Sequence, residues 1–157
     1  MFYRPIVQVL LQATATWLLT GNVIAAEIDI DQIIDARQRN LRDMGAAFKA
    51  ITDELKRPKP NLLEIAHYAN SLQEIAASQQ QWFPAGSGPE SGIKTAAKAE
   101  IWSQPEDFAR WEHDLSAAIA LLVKVAAGQD IELVRHQHEQ VGKTCAGCHK
   151  TFRVKDD

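Results

Sequence analysis

Two cysteines three residues apart, with a histidine directly after the second, lie near the end of the chain as Cys145-Ala-Gly-Cys148-His149. On a helix, positions i, i+3 and i+4 share one face, so this spacing presents two thiols and an imidazole to the same side. Two thioether bonds and one axial nitrogen are what a porphyrin edge and its iron require, and C-x-x-C-H is the pattern of c-type haem attachment. The expected cofactor is therefore one covalent haem c per chain, on Cys145 and Cys148, with His149 as the metal ligand. A thioredoxin-like redox pair would need a βαβ setting, and nothing in the chain reads as strand. A non-haem metal site built from both cysteines, His149 and His136 or His138 is a weaker alternative, because no second ligand pair stands at finger spacing.

The elements that must position this motif are helical. A first stripe, Ile34, Leu41, Met44, Phe48, Ile51 and Leu55, repeats at helical spacing over residues 31–56, with Asp29 and Gln32 as its capping pair and Pro58 and Pro60 beyond its end. Asn61 and Glu64 open a second helix, predicted to reach about Gln81, with Leu62, Ile65, Ala69, Leu72 and Ile75 or Ala76 inward. A long Gly/Pro-rich connection starts at Phe83. Ser103 and Glu106, with Pro105 in the first turn, predict a third helix that buries Phe108, Trp111, Leu115, Ala118, Leu122 and Val125. Gly128 ends it, and Asp130 caps a fourth, whose stripe is Ile131, Val134, His138, Val141, Cys145, Cys148 and Phe152. The expected fold is all-α: an antiparallel up-down four-helix bundle with the haem near the C-terminal end of helix four.

Composition sets the outer bounds. The chain has 157 residues, 46% hydrophobic and 24% charged, with a formal net charge of −3, which suits one globular domain and lacks the basic footprint of a nucleic-acid binder. Residues 1–26 carry Arg4 as their only charge and end in Val23-Ile-Ala-Ala26. They read as a cleaved signal peptide rather than a membrane anchor, because Gln8, Gln12, Thr14, Thr16, Thr20 and Asn22 dilute the apolar run. The domain is then residues 27–157 and the location periplasmic. No acid–base pair suggests an enzyme.

An up-down bundle sets the N-terminal half of helix one beside His149. Its inward residues are Ile34, Leu41 and Met44, with no histidine, so the iron's sixth position is either open under an aliphatic lid or filled by the Met44 thioether. Taken alone, Arg37 reads as a solvated surface arginine, Met44 as core filler, Phe83 as core, haem contact or both, and His138 as a satisfied interior histidine.

The chain resembles the cytochrome c′ family of four-helix-bundle class II c-type cytochromes over roughly Ile28 to Lys155. The resemblance rests on Cys145-Ala-Gly-Cys-His-Lys-Thr-Phe-Arg153, Arg37-Gln-Arg-Asn-Leu-Arg-Asp-Met44-Gly, Trp82-Phe83-Pro-Ala-Gly-Ser-Gly and Glu100-Ile-Trp102-Ser. It implies that Arg37 is a haem-propionate partner, that Arg153 is a basic residue near the proximal face, and that Leu41 stands at the distal position. Low-spin relatives place a methionine ligand there, and Met44 lies one turn further along. The expected function is thus a high-spin, five-coordinate haem protein that binds diatomic gases such as NO and CO and is capable of electron transfer. The alternative is a low-spin electron carrier with Met44 as sixth ligand. The family's frequent homodimer would use the outward faces of helices one and two. The redox partner is unknown.

Overall fold

Helix α1 spans Ile30–Leu55, α2 Leu62–Ala76, the short α3 Glu100–Ser103, α4 Pro105–Ala127 and α5 Ile131–Phe152 in the computed structural model, which describes residues 29–155. The expected signal peptide lies outside the described residues. Three of the four long helices begin where a side chain satisfies their first free amides. Asp29 accepts from the Asp31 and Gln32 amides, Asn61 from those of Leu63 and Glu64, and Asp130 from those of Glu132 and Leu133. The expected Ser103 cap is not formed. Ser103 ends α3, and α4 starts at Pro105 after Gln104 with no side-chain cap, because the backbone turns through a four-residue helix just before it. Helix α2 stops at Ala76 instead of Gln81, and a separate 3-10 turn covers Gln79–Gln81.

The long helices pack as α1 on α2, α2 on α4 and α4 on α5, while α1 and α5 barely meet. The core is correspondingly lopsided. Ile51, Ile65, Leu72, Ile119, Leu122, Val134 and Val141 fill the closed side, and a smaller aromatic cluster of Ile101, Phe108 and Phe152 sits at one end. Two predicted stripes shift. In α4 the buried row is Phe108, Glu112, Leu115, Ile119, Leu122 and Ala126, one residue round from the expected Trp111, Ala118 and Val125. In α1, Leu41 is 40% exposed while Met44 is only 8% exposed, because Leu41 stands where α1 has no helix against it.

The connection between α2 and α4 closes the open end. Arg37 of α1, 1% exposed, donates to the Trp82 carbonyl at 3.3 Å, the Ser87 hydroxyl and carbonyl at 3.0 Å each, and the Thr95 hydroxyl at 2.9 Å. Its guanidinium also lies 4.8 Å from the centre of the Phe83 ring. The solvated-arginine reading of this residue is therefore wrong: the planar fork is used up by a segment far along the chain. Further on, the Lys98 amide donates to the Phe152 carbonyl and the Val154 amide to the Ala96 carbonyl. With the isolated antiparallel bridge Ala97–Arg153, they tie the loop to the end of α5. No strand occurs among the described residues.

Where α1 and α5 do approach, His138 stacks on Phe48 with ring centroids 4.1 Å apart and planes 11° from parallel. Its Nε2–H faces the Phe48 carbonyl at 3.3 Å and the Thr52 hydroxyl at 3.1 Å. Nearby, Arg135 donates to the Leu55 carbonyl at 2.7 Å and so satisfies the end of α1.

Two outcomes follow from these contacts. Removing the guanidinium leaves buried acceptors unpaired, so Arg37→Ala should lower the unfolding free energy by about 3 kcal/mol, with Arg37→Lys recovering little of it; denaturant titration measures both, and wild-type stability in either variant would contradict the anchoring role. Burial holds the His138 imidazole below its ordinary value of 6.5, against a smaller opposing effect of the Phe48 carbonyl. The unfolded chain then takes up the proton first, and His138's contribution is complete above pH 6.5 and lost as pH falls through and below that value. The stability difference between wild type and His138→Phe should therefore move against the wild type on acidification from pH 7.5 to about 5, and a pH-independent difference would refute it.

Candidate functional site

The gap between α1 and α5 is a cavity of about 1090 Å³. One wall is the end of α5, which contributes Val141, Cys145, Cys148, His149 and Phe152; the facing wall is α1, with Arg37, Leu41, Met44, Gly45 and Phe48. Leu72, Ile101, Phe108 and Leu115 close the bottom, and Phe83 and residues 93–97 form part of the rim. The structure thus gathers Arg37, Leu41, Met44, Phe83, Cys145, Cys148, His149 and Arg153 around one space, and leaves His136 and His138 outside its lining.

Their placements differ in kind. Cys145 packs against the main core and Cys148 against the aromatic cluster, so the pair bridges the two hydrophobic bodies of the protein. Between them, Gly147 is required by close approach: a Cβ there would come within 2.2 Å of the Trp111 ring. Phe83 is half-buried and meets Phe108 and Trp102 edge-on at 4.9 and 6.3 Å, which makes it both core and cavity rim. Arg153 caps α5 through its amide, bonded to the His149 carbonyl. His138 is at the α1–α5 contact, away from the cysteines.

The electrostatics suit neutral groups. Burial pushes the Cys145 thiol up, and burial together with Cys145 and Glu112 pushes Cys148 up to about 11. Both sulfurs are therefore protonated at neutral pH, the opposite of the lowered pKa of a reactive dithiol. Burial, with the Arg153 charge, holds His149 below its ordinary range, so its imidazole is neutral and able to ligate a metal at pH 7. Among the described residues no three His, Cys, Asp or Glu side chains converge on a point that could hold a bare metal ion, which removes the donor set of the zinc alternative.

Two residues were missed from the sequence. Gln79 lines the cavity, is buried, and has no partner for its Oε1. Glu112, 7% exposed on α4, has an unpartnered Oε1 and a carboxyl held up by burial. Gln79 is thus a buried acceptor on the cavity lining, whereas Glu112 is not among the residues that line it. Glu112 stands at a stripe position of α4, four after Phe108 and three before Leu115, and that spacing was the available signal. Gln79 had none, since its burial depends on the 3-10 turn.

These residues fit a large flat cofactor. The cavity has room for a macrocycle and mostly apolar walls, with two thiols and a neutral imidazole on one side and arginines at its edge.

Comparison with known proteins agrees. The family model described as cytochrome C′ matches residues 32–153. Cytochrome c′ of Pararhodospirillum photometricum is 31% identical over 121 residues, covering 76% of this chain and 94% of that protein. A solved cytochrome c′ described as having an unusual ligand-controlled dimer dissociation superposes with a TM-score of 0.77 at 26% identity, over 83% of this chain and 100% of that one. A cytochrome c′ variant from Alcaligenes xylosoxidans, solved as its nitric oxide complex, shares the fold with a TM-score of 0.74 at 23% identity, over 83% and 99%. A family model that matches nearly all of the described chain is decisive, and the protein belongs to the cytochrome c′ family, a family of haem c proteins that bind gases or carry electrons.

Proposed function

We propose that this protein is an exported, periplasmic c-type haem protein whose iron keeps one axial position open to small neutral diatomics such as NO and CO. Thioether bonds on Cys145 and Cys148 would hold the haem, and His149 would be its axial ligand. The haem, when bound, supplies a ferrous iron that can take a π-acceptor ligand or pass on an electron. The chain's part is to tether, to orient and to exclude. Cys145 and Cys148 would fix the position along α5, Arg153 lines the cavity where haem carboxylates would need positive charge, and Arg37, whose fork is taken by the loop, would act on them through its charge alone.

The observation that carries the open-site reading is the character of the α1 wall. Met44 is its one soft ligand; it lines the cavity, but it is buried and belongs to the core cluster. The exposed apolar side chain of that wall is Leu41, which cannot ligate iron, with the exposed Asp35 and Arg42 flanking it. A lid of this kind disfavours charged or strongly hydrated ligands, which would have to shed water against an aliphatic group, while a neutral diatomic loses little. Nitric oxide bound to a relative of the same fold points the same way.

Residues 1–26, outside the described residues, would act as the export signal, consistent with haem attachment outside the cytoplasm; no described helix is long and apolar enough to cross a membrane. A homodimer through the outward faces of α1 and α2 belongs to the same reading, supported by the dimer recorded for a relative.

Absorption spectroscopy of the reduced holoprotein tests the proposal. A c-type spectrum that changes at once on adding CO is expected. A sharp low-spin spectrum indifferent to CO would instead select the electron carrier with a ligand such as Met44, and absence of covalent haem would overturn both.

A further inference from the structure

Two of the side chains that line the cavity are both polar and buried, Arg37 at 1% and Gln79 at 7% exposure. The Arg37 fork is already taken by the loop, through Trp82, Ser87 and Thr95. The Gln38 amide, also on the lining, donates to the Lys94 carbonyl at 2.9 Å. Gln79 differs from both, because its Oε1 is enclosed by protein and has no partner. An enclosed amide left unpaired is destabilising, and such a group on a cavity wall points to a ligand that pairs it.

The backbone holds Gln79 firmly in that place. It begins the 3-10 turn Gln79–Gln81 that follows α2. Trp82 closes the turn, donating its amide to the Gln79 carbonyl at 3.0 Å and its indole Nε1–H to the Ser78 hydroxyl at 3.1 Å. The Trp82 carbonyl in turn accepts from Arg37 at 3.3 Å. One pinned turn therefore carries the Gln79 amide and receives the Arg37 guanidinium.

Charge decides which end of the amide is used. Its carbonyl and NH2 exchange by a half-turn of the last bond, so the position suits either a donor or an acceptor. Beside a buried guanidinium, the favoured partner is an anionic acceptor, which takes the NH2. The polar groups of a haem are its carboxylates. We propose that Gln79 binds a carboxylate of the haem, donating its Nε2–H to it, while Arg37 contributes charge without a hydrogen bond. This inference rests on the covalent haem proposed above and not on the open axial position.

Resonance Raman spectroscopy and redox titration of the holoprotein, for wild type, Gln79→Met and Gln79→Glu, test it. Methionine keeps the length of the side chain and removes the donor. In Gln79→Met the bending mode of the haem carboxylates should shift, and the reduction potential should fall, because the carboxylate charge is less offset and favours ferric iron. The carboxylate's ionisation, read from the pH dependence of that potential, should rise by about one pH unit. Gln79→Glu should lower the potential further; if that variant fails to retain haem, Gln79→Met decides alone. An unchanged carboxylate mode and potential in Gln79→Met would overturn the inference. So would a fixed carboxylate mode with a shifted C–O stretch of the CO complex, which would place the amide against an iron-bound ligand. A shifted carboxylate mode in a low-spin protein indifferent to CO would sustain the inference and sink the open-site reading. Absence of covalent haem would overturn both.

Discussion

The buried guanidinium of Arg37 holds the site together. It reaches from α1 to Trp82, Ser87 and Thr95, on the segment that crosses the open end of the bundle. Burying that charge is costly unless its donors are taken up, and the loop takes them up with a hydroxyl and a carbonyl of Ser87, a carbonyl of Trp82 and a hydroxyl of Thr95. The nearby Glu90 carboxylate partly offsets the desolvation. With the loop held by α1 on one side and bonded to residues 152–154 on the other, the rim of the cavity connects the two helices that otherwise barely touch.

That separation of α1 from α5 is what makes a cofactor site out of an ordinary bundle. A fully closed four-helix core would place aliphatic residues at Leu41 and Cys145 levels in mutual contact. Here the closed packing of α1 with α2 and of α4 with α5 leaves the fourth side for a macrocycle. The neutral state of Cys145, Cys148 and His149 follows from the same partial burial. The aromatic cluster behind Cys148 and the aliphatic core behind Cys145 give the two cysteines rigid backing.

The helices were legible because their signals are local. Asp29, Asn61 and Asp130 sit at helix starts and act there, and Pro58 and Gly128 stand just past helix ends. The Cys145 to His149 motif carries its geometry in its spacing. What local patterning did not show was set by distant partners. Arg37 bonds to residues 45, 50 and 58 positions away, and apolar periodicity passes over an arginine even when, as here, it lies three after Ile34 and four before Leu41. In α4 the apolar choice of Trp111 over Glu112 put the stripe one residue out. The indole instead lies across Gly147, and the inward position goes to a carboxyl that hydrophobicity would never select. The shortening of α2 and the uncapped start of α4 came from the loop's own turns.

On the function proposed above, one axial position of the haem iron is filled by no side chain of the chain. Electron paramagnetic resonance of the purified ferric holoprotein at neutral pH tests it directly. A high-spin signal is expected, with Met44 held in the core cluster and Leu41, not a ligand, exposed on the α1 wall. A purely low-spin signal that turned high-spin in Met44→Leu would contradict it, and would make Met44 the sixth ligand.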